Sequence, residues 1–184
     1  LENAFSLLFG SFYFQDEKLY NKSKTIIIRE LNEQVLKDGA HFELSPMYHQ
    51  IILSRLLDSI QLIKLNSTCK KDDLISFLEQ KAGLMISWLH NITYENGNIP
   101  MVNDATYNIA PNSKNIFSYA KHLGINRQHI KLSDSGYRKI KLNNYELLLD
   151  IGNVGASYNP AHAHSDTFNF ELIKDDNPIF VDTG

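Results

Sequence analysis

The spacing of apolar residues changes once along this chain of 184 residues, and that change limits the folds open to it. Up to about residue 124 the apolar positions recur at helical spacing; from Ser133 onward they alternate, as in a half-buried strand. Helices followed by strands, rather than interleaved with them, argue against a parallel βαβ sheet and for a helical region joined to an antiparallel one. The boundary falls within residues 124–133.

Ala4, Leu7, Leu8, Ser11 and Phe12 form one helical stripe. Asp16-Glu17 opens a second helix carrying Ile27, Ile28, Leu31, Val35 and Leu36, which stops at the turn signal Asp38-Gly39. Ser45-Pro46 starts a third, with Ser at the cap and Pro at the first helical position. A fourth covers 71–89 and a short fifth covers 113–123, ending at Gly124. Between these two, residues 91–112 form a polar stretch holding Gly97, Pro100 and Pro111; connections of that length are often functional. Residues 137–142 and 145–149, separated by Asn143-Asn144, read as a β-hairpin. Phe168, Phe170 and Leu172 alternate with Thr167, Asn169 and Glu171, so the phenylalanine face is expected to be the buried one. Asp175-Asp176-Asn177 then turns the chain into a last strand at 178–181.

A hydrophobic content of 43% supports a sizeable core. The net charge of −3 gives no electrostatic reason to expect nucleic acid as a partner. No apolar run approaches the roughly 20 residues that span a bilayer. A single cysteine, Cys69, excludes an internal disulfide framework and a cysteine-based zinc cluster. Leu1 follows neither an initiator Met nor a basic leader, and 178–184 reads as a strand just finishing, so both ends are expected to be cuts in a longer protein.

Three clusters carry candidate chemistry. In Pro160-Ala161-His162-Ala163-His164-Ser165-Asp166, an extended backbone projects residues i and i+2 to one side, which lets His162 and His164 converge. Asp182 lies one hairpin later, within reach of His164 across an antiparallel pair. Imidazole and carboxylate suit zinc, which needs at least a third protein ligand. Surface polar residues near a turn would leave the same pattern. The second cluster runs from Asp38 to His49 and places His41, Glu43, Tyr48 and His49 around a helix start, where the dipole favours negative charge. The bland alternative is the first turn of an ordinary packed helix. The third is the loop Ile99-Pro100-Met101-Val102-Asn103-Asp104 with Tyr107.

These residues carry a resemblance. LENAFSLLFGSFYF (1–14), DGAHFELSPMYHQIIL (38–53), IPMVNDA (99–105) and HAHSDTFNFEL with FVDTG (162–172 and 180–184) resemble, in order, blocks of the heparinase II/III-like family. That family includes heparin, heparan and alginate lyases. The resemblance implies a multi-domain α plus β architecture: residues 1–126 as the C-terminal part of an α/α toroid, and 133–184 as the N-terminal part of an antiparallel β-sandwich, both incomplete. It implies β-elimination at a uronic acid of an acidic polysaccharide, with Tyr48 and His162 as the catalytic pair. It further implies one structural zinc ion, with His164 and Asp182 as ligands and a third beyond Gly184. His41, Glu43, His49, Asn103 and Tyr107 are the expected substrate-binding residues. A periplasmic or secreted location is implied as well.

An Asn-His pair that commonly precedes the first block in such proteins would lie before Leu1. The segment alone is therefore expected to be inactive and poorly folded. Two rival readings stay open. A His-x-His strand also occurs in metal-dependent hydrolases, although there it usually opens a β/α barrel. A non-catalytic carbohydrate-binding protein could keep the same fold. The residues do not specify the polymer, its sulfation or the oligomeric state.

Overall fold

A computed structural model describes residues 1–66, 73–152 and 168–182. Five helices come first: α1 (Glu2–Phe14), α2 (Glu17–Gln34), α3 (Pro46–Leu65), α4 (Asp73–Ile92) and α5 (Ser113–His122). A four-stranded sheet follows, built from β1 (Tyr137–Leu142), β2 (Tyr145–Asp150), β3 (Asn169–Lys174) and β4 (Asn177–Phe180). Its strands lie in sequence order and each neighbouring pair is antiparallel. The expected order, helical region then antiparallel sheet, is what the chain adopts.

Local chemistry sets most helix boundaries. The Asp16 carboxylate accepts hydrogen bonds from the N–H groups of Lys18 (2.8 Å) and Leu19 (3.0 Å), satisfying donors that the first turn of α2 leaves without partners. Asn112 caps α5 through the Asn115 N–H at 2.9 Å. Ser45 caps α3 with Pro46 at its first position. The end of α2 departs from expectation. The helix stops at Gln34, and Val35, although spaced for the helical stripe, instead forms a β-bridge with His41. Residues 35–44 therefore make a tight reversal. Gly39 takes φ +87 there, pressed against the backbone of Leu84, where a Cβ would collide.

The helical core is made of large side chains with no exposed surface, among them Leu8, Ile27, Leu31, Leu53, Leu56, Leu57, Leu74, Leu78, Met85 and Trp88. α1 packs on α2 and α3, α3 on α4, and α5 on α3 and α4. Each such leucine stabilises the fold by about 1.5–3 kcal/mol relative to an exposed one.

The sheet lays one face on this helical layer. Tyr137, Leu148 and Ile173 are buried there, and so are two acids, Glu146 and Glu171. Here the phenylalanine alternation misleads: Phe170 is 42% exposed, whereas Glu171 is 3% exposed. Register explains it. A period of two fixes which residues share a face but not which face is covered, and the helical layer supplies hydrogen-bond partners for the acid side.

Candidate functional site

The site grows from the reversal at residues 35–44, which feeds the first turn of α3. Tyr48 sits in that turn, half-buried, three residues past the Ser45 cap, whose hydroxyl faces the Tyr48 N–H at 3.5 Å. Leu44, just before the cap, adopts φ 58, and its carbonyl is held from the sheet side. The Tyr137 hydroxyl of β1 donates to it at 2.5 Å. The Asn103 amide approaches the same carbonyl at 3.4 Å and donates to the Tyr137 oxygen at 2.8 Å. Asn103 also reaches the Asp150 carboxylate, at the end of β2, at 3.5 Å. The loop that launches the Tyr48 helix is thus tied to the first strand, the 99–104 loop and the end of the second strand.

His49 and His41 lie beneath this surface. The His49 ring has no exposed area. Its Nε2 lies 3.0 Å from the Met85 carbonyl, its Nδ1 accepts from the His41 N–H at 3.2 Å, and its ring packs on Trp88 with centroids 4.5 Å apart. An Nδ1 that accepts and an Nε2 that donates define the neutral tautomer. Burial, then the proximity of His41, pushes the His49 pKa down to about 3. His41 is 3% exposed; its Nε2 lies 3.2 Å from the Gln34 side-chain oxygen, and its Nδ1 is buried without a hydrogen-bond partner among the described residues. Burial lowers its pKa to about 4. Both rings are therefore buried, His49 fully and His41 all but 3%, in the segment that leads into the Tyr48 turn.

Glu43 is half-buried in the same reversal. Asn103 is 6% exposed and used as a brace. Tyr107 is exposed, its hydroxyl donating to the Ile99 carbonyl at 3.3 Å. His162, His164 and Asp166 lie outside the described residues. Asp182 is described, and its backbone N–H donates to the Glu171 carboxylate. The same carboxylate accepts from the Tyr94 hydroxyl at 2.9 Å and the Met101 N–H at 3.1 Å. Glu171 therefore connects the expected metal ligand to the 99–104 loop that braces Leu44. Burial first, and the nearby Asp182 charge, raise the Glu171 pKa. Among the described residues no three His, Cys, Asp or Glu side chains gather to hold a metal, and Asp182 is the one expected ligand that can be placed.

Sequence reasoning missed several residues that build this junction. The Asp38 carboxylate, 2% exposed, accepts from the N–H groups of Ser133 and Ser135 (both 3.0 Å) and from the Ser135 hydroxyl at 2.7 Å. Trp88 Nε1 donates to the same hydroxyl at 3.2 Å. Further along, Lys139 Nζ lies 2.7 Å from Glu146 Oε2, an ion pair by distance without hydrogen-bond alignment, and donates to the Thr93 carbonyl at 2.6 Å. A usable signal existed: each acid is flanked by apolar neighbours, Glu146 by Tyr145 and Leu147, Glu171 by Phe170 and Leu172.

Two family models match overlapping parts of the chain. A model described as the heparinase II/III N-terminus matches residues 13–131, and one described as heparinase II/III-like, C-terminal, matches 124–184. A solved heparinase III gene product superposes with a TM-score of 0.72 at 20% identity, covering 98% of this chain and 32% of that one. A heparan sulfate lyase from Pedobacter heparinus gives 0.71 at 20% identity, over 98% and 32%. A further heparinase III structure gives 0.68 at 19% identity, over 98% and 34%. The chain spans about a third of the length of these structures, and at such identities the likeness is one of fold. No curated protein sequence matches the chain.

Proposed function

Because the chain belongs to the heparinase II/III-like family, we propose that the protein is a polysaccharide lyase, cleaving a uronic-acid-containing polysaccharide by β-elimination with Tyr48 and His162 moving the protons. The observation that carries this reading is a convergence of chain segments. Asp150 and Asn169 pair with each other at one end of the sheet, and the connection between them contains His162. Asp150 meets Asn103, Asn103 meets the Leu44 carbonyl, and Leu44 adjoins the cap of the helix that carries Tyr48.

The chemistry asks for such a junction. The C5 proton of a uronate lies α to the carboxylate and is weakly acidic, so the developing charge needs positively polarised groups around it. The N-terminus of α3 supplies one such field beside Tyr48. A phenol with an ordinary pKa near 10 needs that help to act as base at neutral pH. The 4-linked oxygen then leaves with a proton, and a C4–C5 double bond forms.

His164 and Asp182 would hold a zinc ion in this reading, and their imidazole and carboxylate donors suit it; bound there, zinc would serve as a structural tie for the His162 segment. A polymer substrate would place the protein in the periplasm or outside the cell. No described helix is long and apolar enough to cross a membrane.

The test is product chemistry on uronate polymers. Elimination yields near-ultraviolet absorbance from the new double bond; Tyr48→Phe is expected to lower turnover by about 10²–10⁴-fold with binding retained. Cleavage without that absorbance would mean hydrolysis. Saccharide binding with no cleavage by the unsubstituted protein would mean a binding module.

A further inference from the structure

A cleft of about 950 Å³ opens between the end of α4, the start of α5, residues 131–132 and strand β1. None of Tyr48, Leu44, Asn103 or Asp150 lines it. Its walls bring together Lys114, Lys131, Arg138, Lys139 and Lys141 with two acids, Glu95 and Glu146. Five cations against two anions leave a local charge of +3, in a chain whose net charge is −3.

Both acids are already engaged. Lys141 pairs with Glu95, and Lys139 lies against Glu146. Among the described residues the guanidinium of Arg138 donates to the carbonyls of Ser133 and Tyr137, and none of Arg138, Lys114 and Lys131, the two lysines being exposed, has a carboxylate partner. Lys114 and Lys131 therefore stand at the cleft with their charge uncompensated among the described residues, while Arg138, at its edge, alternates with Tyr137 and Lys139 along β1 and belongs to the sheet's other face. His90, at the end of α4, has its pKa lowered first by burial and then by the positive charges of Arg127 and Lys139. Phe117 packs against the His90 ring at 5.8 Å and gives the wall an apolar patch among the cations.

Clefts lined by one sign of charge concentrate ligands of the opposite sign. An open groove with dispersed cations and an aromatic surface fits an extended polyanion with apolar sugar faces better than a compact one. We infer that this cleft is an accessory binding site for the carboxylate or sulfate groups of an acidic polysaccharide, gripping the polymer apart from the unit that reacts at Tyr48. The identity of the ligand rests on the lyase reading; the anion-binding character of the groove rests on its cations alone.

The test uses the intact protein, with alginate and heparan sulfate fragments as probes, each as disaccharide and octasaccharide, measured by calorimetry. Replacing Lys114 and Lys131 together by Gln is expected to weaken octasaccharide binding about fivefold, as removal of two exposed charge contacts would. Disaccharide affinity at the Tyr48 site should stay unchanged, and the salt dependence of octasaccharide binding should flatten. A charge-conserving variant (K114R, K131R) should bind as the unsubstituted protein does. An unchanged octasaccharide affinity in the Gln variant, binding of neither octasaccharide, or equal losses in the two variants would each overturn the proposal. Should the Gln variant fail to fold, octasaccharide binding that is indifferent to salt in the unsubstituted protein would overturn it as well. Octasaccharide binding through these cations, with no near-ultraviolet product from any substrate, would sink the lyase reading and leave the groove standing.

Discussion

Asp38→Ala should be among the most damaging single substitutions away from the hydrophobic core. Its carboxylate joins segments 95 and 97 residues apart, with Oδ2 accepting from the Ser133 and Ser135 N–H groups and the Ser135 hydroxyl, and Oδ1 from the Ala40 N–H at 3.3 Å. Hydrogen bonds to a charged acceptor contribute roughly 1.5–3 kcal/mol each, and a buried donor left without a partner costs about 1–3 kcal/mol. Ser133 is exposed and can turn to water, so the sum is discounted to about 3–5 kcal/mol. For a chain of this length each kcal/mol moves the melting temperature by about 2–4 °C, so a drop on the order of 10 °C is expected. Asp38→Asn is the informative partner. An amide oxygen in the Oδ2 position keeps three of the four bonds and sets a donor against the Ala40 N–H, for a drop of roughly 2–5 °C. Thermal unfolding followed by circular dichroism reads both. If Asp38→Ala melts within about 2 °C of the unsubstituted protein, or if the two variants fall equally, the clamp does not work as argued.

Acid should destabilise the fold through His41 and His49. Their folded pKa values are pushed down to about 4 and about 3, whereas the unfolded chain takes up protons near 6.5. The unfolded state therefore binds more protons below pH ~6.5, and stability falls as pH drops through that window until the folded pKa values are passed. Melting temperatures from neutral pH down to about 4 check this; His41→Gln should reduce the dependence by about one proton, and an unchanged profile would contradict the assignment. Tyr137→Phe removes the donor to Leu44 and an acceptor for Asn103, for a loss of about 1–3 kcal/mol. With the Tyr48 loop loosened, kcat should fall about ten- to a hundredfold, more than KM rises; kinetics unchanged on a uronate polymer would show that Leu44 does not position Tyr48. Gly39→Ala and Gly97→Ala test strain with and without collision. Both glycines have positive φ, but only Gly39 faces backbone where the Cβ would go. Gly97→Ala should cost about 1–2 kcal/mol and Gly39→Ala clearly more, as chemical denaturation of the two variants would report.

What the sequence disclosed was what its near neighbours decide. Asp16, Ser45-Pro46 and Asn112 start helices because a cap satisfies N–H groups two or three residues away, and such chemistry is written in adjacent letters. The hairpin turn at Asn143-Asn144 was legible for the same reason, with Asn143 at φ 54. The end of α2 was not, because Val35 leaves the helix for a bridge with His41 in a reversal that Asp38 anchors to serines 95 and 97 residues away. The histidines near Tyr48 read as site residues by type and spacing, and their burial, His49 against Met85 and Trp88, comes from residues far along the chain. The cationic cleft draws on four separated stretches, around 90, 114, 131 and 138–141, none of them basic enough alone to stand out.

The two buried glutamates explain why the sheet could be misread and also what holds the junction together. An acid facing a helical layer is costly to bury unless donors await it. Glu171 finds three, the Tyr94 hydroxyl and the Met101 and Asp182 N–H groups, while Glu146 has the Glu95 N–H at 3.0 Å and Lys139. Apolar contact alone would tolerate sliding of a sheet on helices. These donors do not, because a one-residue slip of a strand would turn each glutamate to the opposite face and strand its partners. Breaking one side of such an arrangement costs more than the arrangement contributes over an apolar substitute, so its effect is on register more than on stability. Register in turn sets the contacts at Leu44: β1 presents the Tyr137 hydroxyl to its carbonyl, and β2 ends with Asp150 beside Asn103, which reaches the same carbonyl.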